Sequence, residues 1–151
     1  MHIWVDADAC PAAVKDILFR ASKRCQIPVT LVANQSIAVP RSELINCIVV
    51  AHGADVADSR IVDDMTAGDL VVTADIPLAA QVVEKGGRSL DPRGELLTEA
   101  NVAARLAMRD FMDGLRGSGV ETGGPAAFSQ KDVQTFANQL DRILTKRLQA
   151  P

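Results

Sequence analysis

The sequence predicts an α/β protein: a mainly parallel sheet of four to five strands, covered by helices on both faces, with two further helices at the C-terminal end. Three observations predict it. Short apolar runs alternate with helix-period segments from residue 3 to residue 90. The runs are nearly continuous in Val, Ile and Leu, which is the pattern of strands buried on both faces. After Asp91 the strand signal stops, and residues 98–116 and 129–149 carry helical period alone.

The elements follow in order. Ile3-Trp4-Val5 reads as a first strand that ends on Asp6. Pro11 suits a first helical turn. Val14, Ile17, Leu18, Ala21 and Cys25 then recur at helical spacing, so residues 11–25 are read as a helix. Residues 28–33 (P-V-T-L-V-A) are a second strand and 46–51 (N-C-I-V-V-A) a third. Residues 34–45, with Pro40 and Ser42, read as a loop with room for a short helix. A helix from 54 to about 67 has the inward stripe Ala54, Ala57, Ile61, Val62 and Met65. Residues 69–74 (D-L-V-V-T-A) are a fourth strand, 77–85 a helix stopped by Gly86-Gly87, and 88–90 a short fifth strand. Residues 117–128 hold four glycines and a proline, a flexible loop by composition. The last helix opens on Ser129 with Asp132 three residues on, a capping pair. Its stripe of Val133, Phe136, Ala137, Leu140, Ile143, Leu144 and Leu148 must cover the sheet or the preceding helix.

A length of 151 residues suggests one domain, with 1–91 as its α/β core and 98–149 as a helical part packed on it. Four Phe, one Trp and no Tyr make binding of single strands by aromatic stacking a poor fit. A net charge of −3 argues against a uniformly basic coat, while local basic stripes stay open. Cys10, Cys25 and Cys47 form no C-x-x-C pair, which supports neither a disulfide framework nor a zinc site. There is no signal-peptide pattern, and no apolar run nears the ~18 residues of a membrane span. A cytoplasmic protein with no membrane partner is expected.

The candidate chemistry is acidic. Asp6 and Asp8 follow the first strand, and Asp75 follows the fourth in the same form of apolar run, acid, proline, helix. If those strands are parallel neighbours, the three acids meet at the carboxyl edge, where open α/β sheets bind ligands. Asp58 shares the inward stripe of its helix with Ile61, Val62 and Met65, whereas Asp63 and Asp64 fall largely outside it. A carboxylate on a buried face is costly without a partner. An all-oxygen set of Asp6, Asp8, Asp58 and Asp75 suits Mg²⁺ or Mn²⁺. The bland alternatives are that Asp75 only caps the next helix, and that Asp55 and Asp58 form a capping pair. Asp91, before Pro92, is either a fifth acid at this edge or a turn starter.

Arg105, Arg109 and Arg116 lie on one helical stripe and, with Arg93, are candidate phosphate contacts. The stripe is expected to turn toward the acids. Its alternative is a solvated face with pairs such as Arg109 with Asp113. Loop 122–125 could offer N–H groups to a phosphate, though plain flexibility suffices. Cys10 reads better as a packed small residue than as a nucleophile, and His2 and His52 have no partner histidine at ligand spacing.

D-A-D-A-C-P at 6–11, A-D-x-x-I-V at 57–62 and G-D-L-V-V-T-A-D-I-P-L-A at 68–79 resemble the YaiI/YqxD family of bacterial proteins. So do M-R-D-F-M-D-G-L-R at 108–116, T-G-G-P at 122–125, F-S at 128–129 and F-A-N-Q-L-D-R at 136–142. The resemblance covers nearly the whole chain. That family is in turn similar to PIN-like (NYN-like) nuclease domains, which implies a three-layer PIN-like fold. Those domains carry an acid after the first strand, an acid on an intervening helix, and Thr/Ser-x-Asp after the fourth strand. Asp6, Asp58 and Thr73-Ala74-Asp75 match those places, and Thr73 joins the substrate contacts by that likeness. Asp58 departs from the usual Glu, and Asp8 and Cys10 are additions.

The resemblance implies a divalent-metal-dependent phosphodiesterase or ribonuclease, using Mg²⁺ or Mn²⁺ on RNA or another phosphate-containing substrate. Two alternatives stand beside it. One is a haloacid-dehalogenase-like phosphatase with Asp6 as nucleophile and Asp8 as acid/base, although Cys10 replaces its usual Thr or Val. The other is a non-catalytic RNA- or nucleotide-binding module with a structural cation.

Overall fold

The computed structural model describes residues 1–53, 55–124 and 126–149, the last two as backbone alone. The predicted helix start at Ala54, Pro125 of the glycine-rich loop and the Leu148 side chain lie outside the described residues. Among the described residues the order is β1 (Ile3–Asp6), α1 (Ala12–Cys25), β2 (Val29–Ala33), β3 (Ile45–Val49), α2 (Val56–Asp64), β4 (Leu70–Val72), α3 (Ile76–Glu84), β5 (Arg88–Leu90), β6 (Leu96–Leu97), α4 (Val102–Gly117) and α5 (Gln130–Gln149).

The strands form one sheet in the order β3-β2-β1-β4-β5-β6. Every pairing is parallel except β5 with β6. Six strands replace the expected four to five. The missed one, Leu96–Leu97, is two residues long, too short to show a period, and closes a hairpin on β5 through Asp91–Glu95. Gly94 makes that hairpin possible. Its φ is +98°, and a Cβ there would meet Thr135 at 2.6 Å, so both the turn and the contact with α5 demand glycine. Residues 34–44 hold no helix, and α2 stops at Asp64 because Met65 is already extended.

Strand alternation decides which helix covers which face. Ile3 and Val5, with Leu31, Leu70 and Val72, meet Val14 and Leu18 of α1 and Phe136 and Leu140 of α5. Trp4, Val32 and Val71 point the other way, against Ile61, Met65, Leu78 and Val82, so α2 and α3 cover that face. Phe136 is fully buried, and Phe136→Ala would cost about 3–5 kcal/mol by the usual cavity scale. Helix α5 begins as its capping pair predicts: Ser129 N–H donates to Asp132 Oδ2 at 3.0 Å, and Asp132 N–H to Ser129 Oγ at 3.4 Å.

Of the two C-terminal helices, α5 packs on the sheet, and α4 does not. Helix α4 lies along α3, and no residue of it is buried. Both helices of the 98–149 part thus lie on the α/β core, α5 against the sheet and α4 against α3. The apolar positions of α4 are spread over a wide arc with small residues between them, enough to lean on a helix and too little to seal a core.

Candidate functional site

β1 and β4 are parallel neighbours, yet the chain leaves β1 toward β2 and β3 before it returns to β4 on the other side. That reversal opens a crevice at the carboxyl ends of the two strands. Period-two alternation puts Asp6 on the face of Trp4 and Thr73 on the face of Val71, both toward α2 and α3. There the Thr73 hydroxyl donates to Asp6 Oδ2 at 2.9 Å and accepts from the Asp75 N–H at 3.0 Å. Its single proton is thus committed to orienting Asp6, which makes it a support for the acid.

Asp75 is the N-cap of α3 and accepts from Leu78 N–H at 3.1 Å through Oδ1. The capping role holds, and it leaves the other oxygen available. Asp58 stands half-buried in the first turn of α2, with Asp63 and Asp64 exposed behind it. Asp55 occupies the N-cap position at φ +66° but its side chain makes no capping bond, so Asp55 and Asp58 are not a capping pair.

The carboxyls of the crevice push each other's proton affinity up. For Asp58, burial acts first, then the charges of Asp75 and Asp6, then a hydrogen bond from its protonated form to Asp75, then Asp55. Together they raise it to about 7. Asp6 is also raised, by burial above all; the Thr73 hydrogen bond opposes this, and Asp75 and Asp8 add to it. Beside these acids lies a cleft of about 420 Å³ lined by Asp55, Asp58, Ser59 and Asp75, with Pro77, Gln81 and Arg109. Among the described residues, no three His, Cys, Asp or Glu side chains form a group that could hold a metal ion as they stand.

The other candidates disperse. Asp8 is exposed, and its Oδ2 accepts from Asn34 N–H at 2.8 Å at the end of β2. Asp91 starts the β5–β6 turn, accepting from Arg93 N–H at 2.6 Å. Of the arginine stripe, Arg109 alone lines the cleft, and it also pairs with Asp110 at 3.1 Å and Asp113 at 3.3 Å. Arg105 pairs with Glu95 at 2.7 Å, and Arg116 pairs with Asp113. Arg93 ties the hairpin to α5 through Asp132 at 2.9 Å and lies 5.6 Å from the Phe128 ring centre. Cys10 is buried, and its thiol is pushed up to about 12, by burial first, so no thiolate forms near neutral pH. His2 stacks on Trp4 at 4.2 Å, far from any ligand role, and His52 is exposed. Asp55, Ser59 and Gln81 are the cleft residues that sequence reasoning missed. Gln81 had a signal, four residues after Pro77 on the same face of α3.

Fold and site together define a class: an α/β protein whose strand order reverses at β1 and β4, beside mutually repelling aspartates from three different elements. The chain belongs to the family described as "Uncharacterized BCR, YaiI/YqxD family", whose profile matches residues 4–146. It is similar to the UPF0178 protein of Dechloromonas aromatica (strain RCB), at 62% identity over 97% of both chains. It is also similar to UPF0178 proteins of Shewanella piezotolerans, at 60% over 97% of this chain and 96% of that one, and of Syntrophotalea carbinolica, at 60% over 98% and 100%. No solved structure gives a significant match to the chain.

Proposed function

We propose that this chain is a divalent-cation-dependent phosphodiesterase acting on RNA or another nucleic acid, with a site organised as in PIN-like domains. One observation carries the reading: carboxyls from β1, α2 and the start of α3 meet at the cleft, where burial and the charges of Asp75 and Asp6 raise Asp58 to about 7. Such a set is relieved by a proton or by a cation, and its oxygen-only chemistry favours Mg²⁺ or Mn²⁺. Mg²⁺ keeps much of its water and needs only one or two carboxylates, so a preformed three-ligand cage is not required. Asp6, Asp58 and Asp75 would hold the ion, which when bound activates water and neutralises phosphate charge.

The chain's own residues do the remaining work in this reading. Thr73 fixes the rotamer of Asp6, and the start of α3 fixes Asp75. Arg109 stands on the cleft wall where a phosphate would enter. The phosphatase alternative is disfavoured because Asp8, its acid/base, is tied to Asn34.

The test is hydrolysis of single-stranded RNA with Mn²⁺ or Mg²⁺, compared between the unaltered protein and Asp6→Asn and Asp58→Asn. Loss of cleavage in both variants, and in chelator, is expected. Cleavage that survives both substitutions overturns the reading.

A further inference from the structure

The acids of this chain are sparse on one pair of helices, which leaves that pair net positive. Helices α1 and α5 together carry eight Lys and Arg against three Asp, while the rest of the chain carries eight against sixteen Asp and Glu. Both helices cover the face of the sheet opposite α2 and α3, and Arg24 of α1 bonds Asp141 of α5 at 3.0 Å. The acidic crevice opens toward the other face.

Two cavities lie on the α1/α5 face, each rimmed by cations. One, of about 420 Å³, lies between α5 and the β5–β6 edge, with Arg88, Arg142 and Lys146 around Leu96 and Ile143. Its one acid, Asp141, is the acid taken by Arg24. The second, of about 340 Å³, lies between α1 and the segment before β3, with Arg20, Lys23 and Arg41 beside Phe19. Among the described residues none of these six cations is in an ion pair, whereas Arg105, Arg109 and Arg116 of α4 all are. The cavities flank the sheet at its two margins, some 24 Å apart at ~4.8 Å per strand.

Complementing the helix dipoles accounts for Lys23 and Lys146, which sit in last turns. It does not account for Arg20, Arg41 and Arg88, which sit elsewhere. We propose that the α1/α5 face binds the phosphate backbone of nucleic acid, as a surface separate from the aspartate cleft. Unpaired, widely spaced cations match a repeating polyanion by charge. Phe19 is the sole aromatic in either cavity and the chain has no Tyr, so recognition rests on backbone and not on stacked bases. A membrane surface fits less well. The exposed large apolar side chains among the described residues are Val49, Met108, Phe111 and Val120, and none belongs to α1 or α5.

The experiment measures binding of a short single-stranded RNA by fluorescence anisotropy, in EDTA, across a salt series. With divalent ions chelated, no metal links RNA to the aspartates, so failure of the phosphodiesterase reading leaves this result untouched. Arg88→Ala/Arg142→Ala/Lys146→Ala and Arg20→Ala/Lys23→Ala/Arg41→Ala should each weaken binding at least tenfold at low salt. Each should also flatten the log–log salt slope by about two, at ~0.7 per phosphate contact. The charge-keeping Arg88→Lys/Arg142→Lys variant should bind as the unaltered protein does, which separates lost charge from lost fold. Three results would overturn the proposal: triple variants that bind RNA normally, no RNA binding by the unaltered protein, or phosphatidylserine vesicles or inorganic phosphate captured in preference to RNA.

Discussion

Asp69 and Asp58 are both drawn back from water, at opposite ends of the β1–β4 pair, and the chain treats them in opposite ways. Asp69 stands just before β4, 6% exposed. It accepts from His2 N–H, from the Trp4 indole and from Thr66 N–H, each at 3.0 Å. Burial alone would raise its proton affinity, but those donors and the nearby His2 ring outweigh it and hold the carboxyl below its ordinary range. Asp58, at the other end of the strands, is half-buried, and its charged neighbours are acids. A withdrawn carboxylate with three donors fastens the fold. A withdrawn carboxylate among carboxylates holds strain that only a ligand or a proton relieves, and such groups gather at functional sites.

The largest effect expected from this contrast is at Asp69. Asp69→Ala strips an indole and two backbone N–H groups of their acceptor at once. At 1–3 kcal/mol for each orphaned group, a loss of at least ~3 kcal/mol is expected. That corresponds to a fall in Tm of about 6–12 °C for a chain of this size. A thermal melt within 2 °C or so of the unaltered protein would remove the fastening role.

Next in size is the pH dependence of the metal-free protein. The folded-state value of Asp58 is about 7 against an ordinary 3.8, so the folded chain holds a proton that the unfolded chain has already released. The stabilisation from that proton is complete below about 4 and disappears as pH rises through 7. Melts in EDTA should therefore be higher at pH 5.5 than at pH 8, by roughly 1–2 kcal/mol once solvent screening of a half-exposed group is allowed for. Asp58→Asn should flatten that slope. Asp69 runs in the opposite sense: its contribution is present above about 3.8 and is lost only as acid carries pH down through its lowered value.

How the two acids differ in legibility follows from what each depends on. Asp58 was readable because helical period and burial cost are local properties of residues 54–65. Asp6 beside Asp75 was readable because two strands of one form, each ending in an acid and a proline, suggested a shared edge. Asp69 was not, since two of its three donors lie on His2 and Trp4, 67 and 65 residues away. Asp8 is placed differently from a strand-end neighbour for another reason. The i, i+2 rule puts it beside Asp6 only while the strand lasts; β1 ends at Asp6, the chain turns, and Asp8 swings to Asn34. The arginine stripe was correctly periodic, but period says nothing of which acids other segments bring, and Glu95 claimed Arg105.

A smaller effect should separate the two roles of Asp75. Asparagine caps helices as well as aspartate does, so Asp75→Asn should keep α3 in place. It also removes the charge that most strongly raises Asp58 after burial. Above pH 7 the metal-free variant should match or slightly exceed the unaltered protein in Tm, by on the order of 0.5 kcal/mol, while Mn²⁺ binding measured by calorimetry weakens. A clear drop in Tm would make the cap the whole of its role.

Arg109→Ala should have the smallest effect, and it tests whether the acid side of the molecule recruits its own phosphate. Arg109 lines the cleft, yet it is 44% exposed and shares its charge with Asp110 and Asp113. Exposed pairs of that kind are worth about 0.2–1 kcal/mol, so the fold should hardly notice the loss. The same range sets the expected change at the cleft: KM for RNA rising by about 1.5- to 5-fold, with kcat and Mn²⁺ affinity unchanged. If KM rises tenfold or more, Arg109 must leave its acidic neighbours to grip substrate, and α4 becomes a working wall of the cleft. If KM does not move at all, polyanion attraction falls to the unpaired cations of α1 and α5, on the far side of the sheet.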